Sequence, residues 1–222
     1  MEKALVLLSG GQDSATCLYW AIQKFGHSSV EALTFYYGQR HTRELTCARR
    51  LSRWSGINHR LLKITTFSEL GGNALTQKNI KVNKTAPQRG LPNTFVPGRN
   101  IILFSFAAAY AYSKKIRHLV GGMAQTDYSG YPDCRGKTIR SLEKTLRLGL
   151  DYPLSLHTPL MYKSKAQTIK MAQKLGAYPA LALTHTCYNN QFPPCGYCPA
   201  CRLRAKGFAE AKIVDPLLLQ KS

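Results

Sequence analysis

The feature that most restricts this chain lies near its start. The apolar run ALVLL (residues 4–8) passes directly into Ser9-Gly10-Gly11-Gln12-Asp13-Ser14, and an amphipathic pattern then begins. Ala15, Leu18, Ile22 and Phe25 recur at helical spacing. A strand that feeds a Gly-Gly turn and then a helix opens an α/β sheet, and the alternation continues along the chain. VEALTFYY (residues 30–37) reads as a second strand, and residues 42–55 as a helix with Leu45, Ala48, Leu51 and Trp54 on one side. HRLLKI (59–64) reads as a third strand, 101–112 as a buried helix and IRHLVGG (116–122) as another strand. Helices over 137–148 and 164–175 flank the strand-like SLHTPLM. The fold class expected is α/β, a Rossmann-like parallel sheet flanked by helices.

One long segment breaks the pattern. Residues 71–100 are polar, rich in Gly, Pro and Asn, and end in LPNTFVPGRN, as a functional or mobile loop does. At 222 residues the chain suits one core with a small appendage. We divide it at 183/184, between a nucleotide-binding body and a cysteine-bearing tail. The first apolar run is too short for a secretory signal, and IILFSFAAAYAY falls short of the roughly 20 residues that span a bilayer. A soluble protein of the cytoplasm is expected.

The Gly-Gly junction suits an anion. Backbone N–H groups without intrachain partners and the positive end of a helix dipole meet there, and glycine permits close approach. Ser9 and Ser14 add hydroxyls, while Asp13 can cap the helix or help position a magnesium ion. The stretch is neither a Walker loop, because no lysine follows Gly11, nor a dinucleotide fingerprint with three spaced glycines.

Seven cysteines are present, and Cys187, Cys195, Cys198 and Cys201 crowd into the C-x7-C-x2-C-x2-C tail. Four soft thiolates at short spacing fit tetrahedral zinc with no open position, hence a structural site. An iron–sulfur cluster uses similar spacing and stays open as an alternative. Lys and Arg number 31 against 11 Asp and Glu, a formal +20 scattered along the chain. Such a surface attracts polyanions without marking a dedicated nucleic-acid face.

The strand–SGGxDS–helix unit resembles the pyrophosphatase loop of the N-type ATP pyrophosphatases, the PP-loop superfamily. Four further stretches are similar to one family within it, the 7-cyano-7-deazaguanine synthases: FYYGQRH (35–41), PNTFVPGRN (92–100), TDYSGYPDCR (126–135) and the four cysteines. TPLM (158–161) followed by Lys165 fits as well. The resemblance implies an adenine nucleotide α-hydrolase-like fold and a C–N ligase in queuosine biosynthesis. ATP would adenylate 7-carboxy-7-deazaguanine, ammonia would displace AMP, and a second adenylation would permit elimination to the nitrile.

By that resemblance Leu8, Ser9, Gly10, Gly11, Gln12, Asp13, Ser14, Ala15, Thr16, Cys17 and Leu18 form the ATP-binding segment. Asp13, Arg99, Lys163 and Lys165 are the expected catalytic residues, acting with Mg2+ on charge that develops at pyrophosphate. Gln39, His41, Asp127, Tyr128, Ser129, Tyr131, Asp133 and Arg135 are expected at the substrate. Asp127 and Asp133 would accept from the N1–H and amine of a guanine-like base, on which Tyr128 and Tyr131 would stack. A zinc-bound tail, a homodimer, no membrane and no obligate nucleic acid complete the implied picture. Two glutamines depart from the family, Gln125 and Gln167 standing where Glu is frequent, and Ser164 stands where Asp is frequent. An enzyme that adenylates a tRNA base and a zinc-bearing RNA-binding module are the competing readings, motivated by the charge.

Overall fold

The computed structural model describes residues 2–84, 89–126 and 130–219. Five parallel strands, β1 (Ala4–Leu7), β2 (Val30–Tyr36), β3 (Asn58–Lys63), β4 (His118–Val120) and β5 (Ser155–His157), lie in the order β3-β2-β1-β4-β5. Ala4 faces Val30 on one side and His118 on the other, so the chain order reverses at β1. In open parallel sheets ligands settle in the crevice at the carboxyl ends of strands flanking such a switch point. Here that crevice lies beyond Leu7 and Val120.

Alternation along the strands divides the core between two faces. Ala4, Val6 and Val120 pack with residues of α1 (Gln12–Phe25), α2 (Arg43–Ser55), α6 (Lys165–Lys174), α7 (Tyr178–Leu181) and α8 (Pro199–Ala211). Leu5, Leu33 and Leu119 face the opposite way. There they meet α3 (Phe67–Leu70), α4 (Arg99–Ser113) and α5 (Gly136–Leu150) through Phe67, Phe104, Ala107, Ala108 and Ile139. Phe104 and Leu5 are fully buried, and truncating either to Ala would cost about 2–5 kcal/mol. Among the described residues no helix is long and apolar enough to cross a membrane.

Each expected strand and helix is present, with ends shifted by a few residues at most. Trp54 is a correction: the periodic face of α2 buries Ala48 and Leu51, but Trp54, in the helix's last turn, is 61% exposed. The loop before α4 is packed where it is described. Asn73 Oδ1 accepts from the Leu75 and Thr76 N–H groups, Arg40 donates to Ala74 O and Ile80 O, and Ala74 and Leu75 are buried.

Candidate active site

Gly10 sets the shape of the first loop. Its φ is +94°, and a Cβ there would stand 2.1 Å from the Glu44 carbonyl oxygen at the start of α2. Only glycine lets the loop press against that helix. The Ser14 hydroxyl, one turn into α1, accepts from the N–H groups of Ser9 and Gly10 at 3.2 and 3.3 Å and donates to Gly11 O. Gly11 N–H points to Ser9 Oγ. This corrects the expectation that the loop's own N–H groups are unpartnered. The donors left for an anion are the first-turn N–H groups of Gln12, Asp13 and Ser14, because Gly11 offers no side-chain cap. Gly122, beyond β4, completes the close approach: a Cβ there would lie 3.1 Å from Ser14 N.

A cavity of about 300 Å3 opens beside this loop, bounded by residues from both sides of the switch point. Of the expected ATP segment, Leu8, Ser9, Gly11, Gln12, Asp13 and Ser14 line it. Gly10 lies behind it against α2, while Ala15, Thr16, Cys17 and Leu18 are buried along α1 and do not reach it. Lys165 Nζ lies 2.7 Å from Asp13 Oδ2. The lysine reaches that point because α6 starts at a capping box, in which Ser164 and Gln167 satisfy each other's backbone N–H. Its stem runs over Gly207 of α8, where a Cβ would come within 2.4 Å of Lys165 Cγ. Lys163 is elsewhere, in a separate depression with Arg140, Glu143 and Tyr162.

Arg99, the first residue of α4, lines the cavity and donates to Tyr37 Oη at 3.2 Å. Burial opposes the charge of Arg99, while the electronegative atoms of Tyr37, Tyr188, Tyr131 and Cys134 around it favour the charged form. Burial in turn pushes the Tyr37, Tyr131 and Tyr188 phenols above their ordinary range, so all three are neutral at physiological pH. Tyr131 is held by Thr94 Oγ1 at 2.7 Å. Gln39 lines the cavity with its amide tied to its own turn, accepting from Tyr37 N and donating to Phe35 O.

His41 is 2% exposed, with Nε2 3.2 Å from Glu44 Oε2. Asp133 is not among the residues that line the cavity: the short turn at Pro132–Cys134 aims its Oδ2 at the Asn100 N–H, capping α4, and its Oδ1 is buried with no partner among the described residues. Arg135 is exposed and contacts Gly130 O. Asp127, Tyr128 and Ser129 lie outside the described residues.

Sequence reasoning missed Tyr37, Glu44, Tyr188 and Arg204 as lining residues. Tyr37 and Glu44 flank the chosen Gln39 and His41, and His-x-x-Glu at helical spacing was a usable signal. Nothing in the letters marks Tyr188 or Arg204. Arg204 is buried and bound by both Asp215 oxygens at 2.6 and 2.8 Å, by Thr184 Oγ1 and by Leu181 O.

The four cysteine sulfurs lie within 4.8 Å of one another, and Cys195 and Cys201 are 3.9 Å apart. A tetrahedral ion with metal–sulfur bonds of about 2.3 Å sets its sulfurs about 3.8 Å apart, so the cluster has the right dimensions. Thiol hydrogen bonds from Cys198 and Cys201 hold the Cys187 sulfur well below the thiol range. Cys198 N–H and Asn189 Nδ2 also reach Cys195 Sγ. The segment so anchored returns to the site. His185 N–H donates to Gly10 O, Arg43 bonds Asn190, and Thr186 and Tyr188 line the cavity.

Both glutamines that depart from the family pattern have a visible accommodation. Gln125 Oε1 accepts from Gly136 N–H at the start of α5, and Gln167 Oε1 closes the capping box of α6. An amide oxygen serves for either bond.

A doubly flanked parallel sheet with a Ser-Gly-Gly-x-Asp-Ser turn at its switch point defines a nucleotide-binding domain of the PP-loop superfamily. The fold agrees with two solved structures. One is a predicted subunit of tRNA methyltransferase from Methanocaldococcus jannaschii, with TM-score 0.51, 17% identity and coverage of 78% of this chain and 75% of that one. The other is NMN synthetase from Francisella tularensis, with TM-score 0.50, 16% identity and coverage of 100% and 79%. The chain belongs to the family of queuosine biosynthesis protein QueC, whose profile matches residues 3–212. It is 59% identical to the 7-cyano-7-deazaguanine synthase of Chromobacterium violaceum over 98% of this chain and 93% of that protein. It is 57% identical to the synthase of Laribacter hongkongensis (98% and 94%) and 46% identical to that of Clostridium botulinum (94% and 95%).

Proposed function

We propose that this protein is a 7-cyano-7-deazaguanine synthase, a cytoplasmic ligase that converts 7-carboxy-7-deazaguanine, ammonia and ATP to the nitrile, AMP and pyrophosphate. The observation that carries this reading is the cavity at the switch point, bounded by the Ser-Gly-Gly-x-Asp-Ser turn, the Asp13–Lys165 pair and Arg99 among its phenols. The identity with relatives of that name supports it along the whole chain.

Each group has a distinct task. The first-turn N–H groups of α1 and Lys165 bind the pyrophosphate portion, and Arg99 clamps a phosphate or carboxylate oxygen with its planar fork. Among the described residues Asp13 Oδ1 and Gln12 Oε1 are buried acceptors with no donor, hard oxygens suited to Mg2+. Bound there, Mg2+ supplies charge neutralisation for the phosphates. Tyr131 and Tyr188 offer aromatic walls to a planar base. Cys187, Cys195, Cys198 and Cys201 would hold zinc, which would keep the tail, and with it Thr186 and Tyr188, against the site. The protein acts as a homodimer, with the basic surface drawing in nucleotides.

The test is purified protein with ATP, Mg2+, ammonium and 7-carboxy-7-deazaguanine, followed for nitrile and AMP. Both should form without RNA. AMP release that requires tRNA, or no nitrile at all, would overturn the reading.

A further inference from the structure

Building the nitrile sheds protons from nitrogen, and the site needs somewhere to put them. Attack of ammonia on the adenylated carboxylate forms a C–N bond and leaves positive charge on nitrogen. Loss of one N–H proton and expulsion of AMP give the amide. After the amide oxygen takes a second adenylyl group and releases pyrophosphate, two more N–H protons leave. The C–O bond breaks with AMP carrying its electron pair, and the triple bond forms. A base with a lone pair inside the cavity serves each of these losses.

Among the described lining residues the candidates are few. Asp13 is paired with Lys165 through Oδ2 and assigned above to Mg2+ through Oδ1, Glu44 faces His41, Arg99 carries no lone pair for the purpose, and burial keeps Tyr37, Tyr131 and Tyr188 as neutral phenols. His41 differs. It is the one histidine among the described residues that line the cavity, and it is 2% exposed. A carboxylate faces its Nε2 at 3.2 Å. An ionised carboxylate only accepts, so the neutral ring carries its hydrogen on Nε2 and its lone pair on Nδ1. Nδ1 is buried and has no protein partner. The Tyr188 ring centroid lies 5.8 Å from that of His41, which stands two residues before α2 begins. A carboxylate on one imidazole nitrogen and a free lone pair on the other is the arrangement of a general base with its orienting acid.

We propose that His41 is the base that takes the protons released from nitrogen during amination and nitrile formation, with Glu44 positioning the ring and setting its tautomer. This rests on the synthase reading above. His41 touches the reacting nitrogen and is catalytic; Glu44 acts through it.

The experiment compares two readouts on one protein: the single-turnover burst of pyrophosphate release dependent on the carboxylate substrate, read without ammonium, and nitrile formation with ammonium present. His41→Ala should lower nitrile formation about 100-fold more than pyrophosphate release, within the usual range for a lost general base. Added imidazole should restore part of the nitrile rate, and the deficit should shrink at higher pH, where hydroxide can take the protons that His41 no longer accepts. Glu44→Gln should lower nitrile formation about tenfold and move the acid limb of its pH profile. Overturning results are equal falls in both readouts, a nitrile rate within threefold of the parent, or no response to imidazole. If His41→Ala does not fold, the acid limb of Glu44→Gln decides: an unmoved limb overturns the proposal. A parent protein that makes no nitrile overturns the synthase reading together with this one, whereas a productive parent with a fully active His41→Ala overturns the base alone.

Discussion

Gly207 sits inside α8, where glycine has no conformational reason to be. Replacing it with Ala should stabilise a helix interior by about 1 kcal/mol. The structure opposes this gain. The added Cβ would lie 2.4 Å from Lys165 Cγ, 2.9 Å from Lys165 Cβ and 3.1 Å from Ile169 Cδ1. The two lysine atoms are at the root of the side chain, close to the backbone of α6, so the conflict is relieved only by moving α6 and α8 apart. Such overpacking costs about 1–3 kcal/mol, which leaves a net loss of about 0–2 kcal/mol. For a chain of this size that lowers Tm by at most about 8 °C. The effect on turnover should be larger. Lys165 is held 2.7 Å from Asp13, and a displacement of about 1 Å at a phosphate-binding group costs about 100-fold in rate. The assay pairs thermal melting with AMP release dependent on 7-carboxy-7-deazaguanine. Gly149→Ala in α5 is the control, because a Cβ there meets nothing within 4 Å and should deliver the helix gain. A Gly207→Ala protein that melts higher than the parent and releases AMP at the full rate would refute the reasoning.

Three further outcomes are expected. Cys198→Ser should reduce bound zinc from about one per chain to a small fraction by elemental analysis. AMP release should fall with it, since the stapled segment carries Thr186 and Tyr188 into the cavity. Burial, then the charges of Lys24 and His118, push His157 down to about 4. Its unfolded value is about 6.5, so the unfolded chain binds the extra proton between the two, and stability present above pH 6.5 is lost as pH falls towards 4. The urea midpoint should drop between about pH 7 and 4.5, and less in His157→Phe. Asp215→Ala strands the buried Arg204 guanidinium and should cost about 3–5 kcal/mol in urea unfolding, whereas Arg204→Met with Asp215→Leu should recover most of it.

Much of the fold was legible because period and punctuation agreed. In β1 apolar residues meet a Gly-Gly turn, and in α1 the helical spacing starts at once, so neither tertiary packing nor a special cap had to decide the outcome. The cysteine tail was legible because thiolate spacing constrains geometry on its own. What stayed hidden depends on contacts remote in sequence. No local signal shows that Gly207 makes room for a lysine 42 positions earlier, or that the residue after Cys187 is carried into the cavity wall. Asp133 has a local partner that the letters do not show. A short carboxylate in a tight turn satisfies the nearest orphan N–H, here that of Asn100. The loop donors were misjudged because the Ser14 hydroxyl folds back on them.

The net charge of +20 suggests a site that works by excess positive potential, but the cavity is nearly balanced. Its described cations are Lys165, Arg204 and Arg99. Lys165 is matched by Asp13, and Arg204 by Asp215 behind the wall. Glu44 faces His41, leaving Arg99 among phenols that cannot neutralise it. The scattered surface charge can raise the local concentration of any polyanion but cannot choose among them. Discrimination must therefore come from directed groups at fixed positions: first-turn N–H donors, one guanidinium, one ammonium and the aromatic walls. This is why glycines at 10, 122 and 207 matter here. At each, a single added carbon would meet backbone or a side-chain root at 3.1 Å or less and displace a group that has to point somewhere definite.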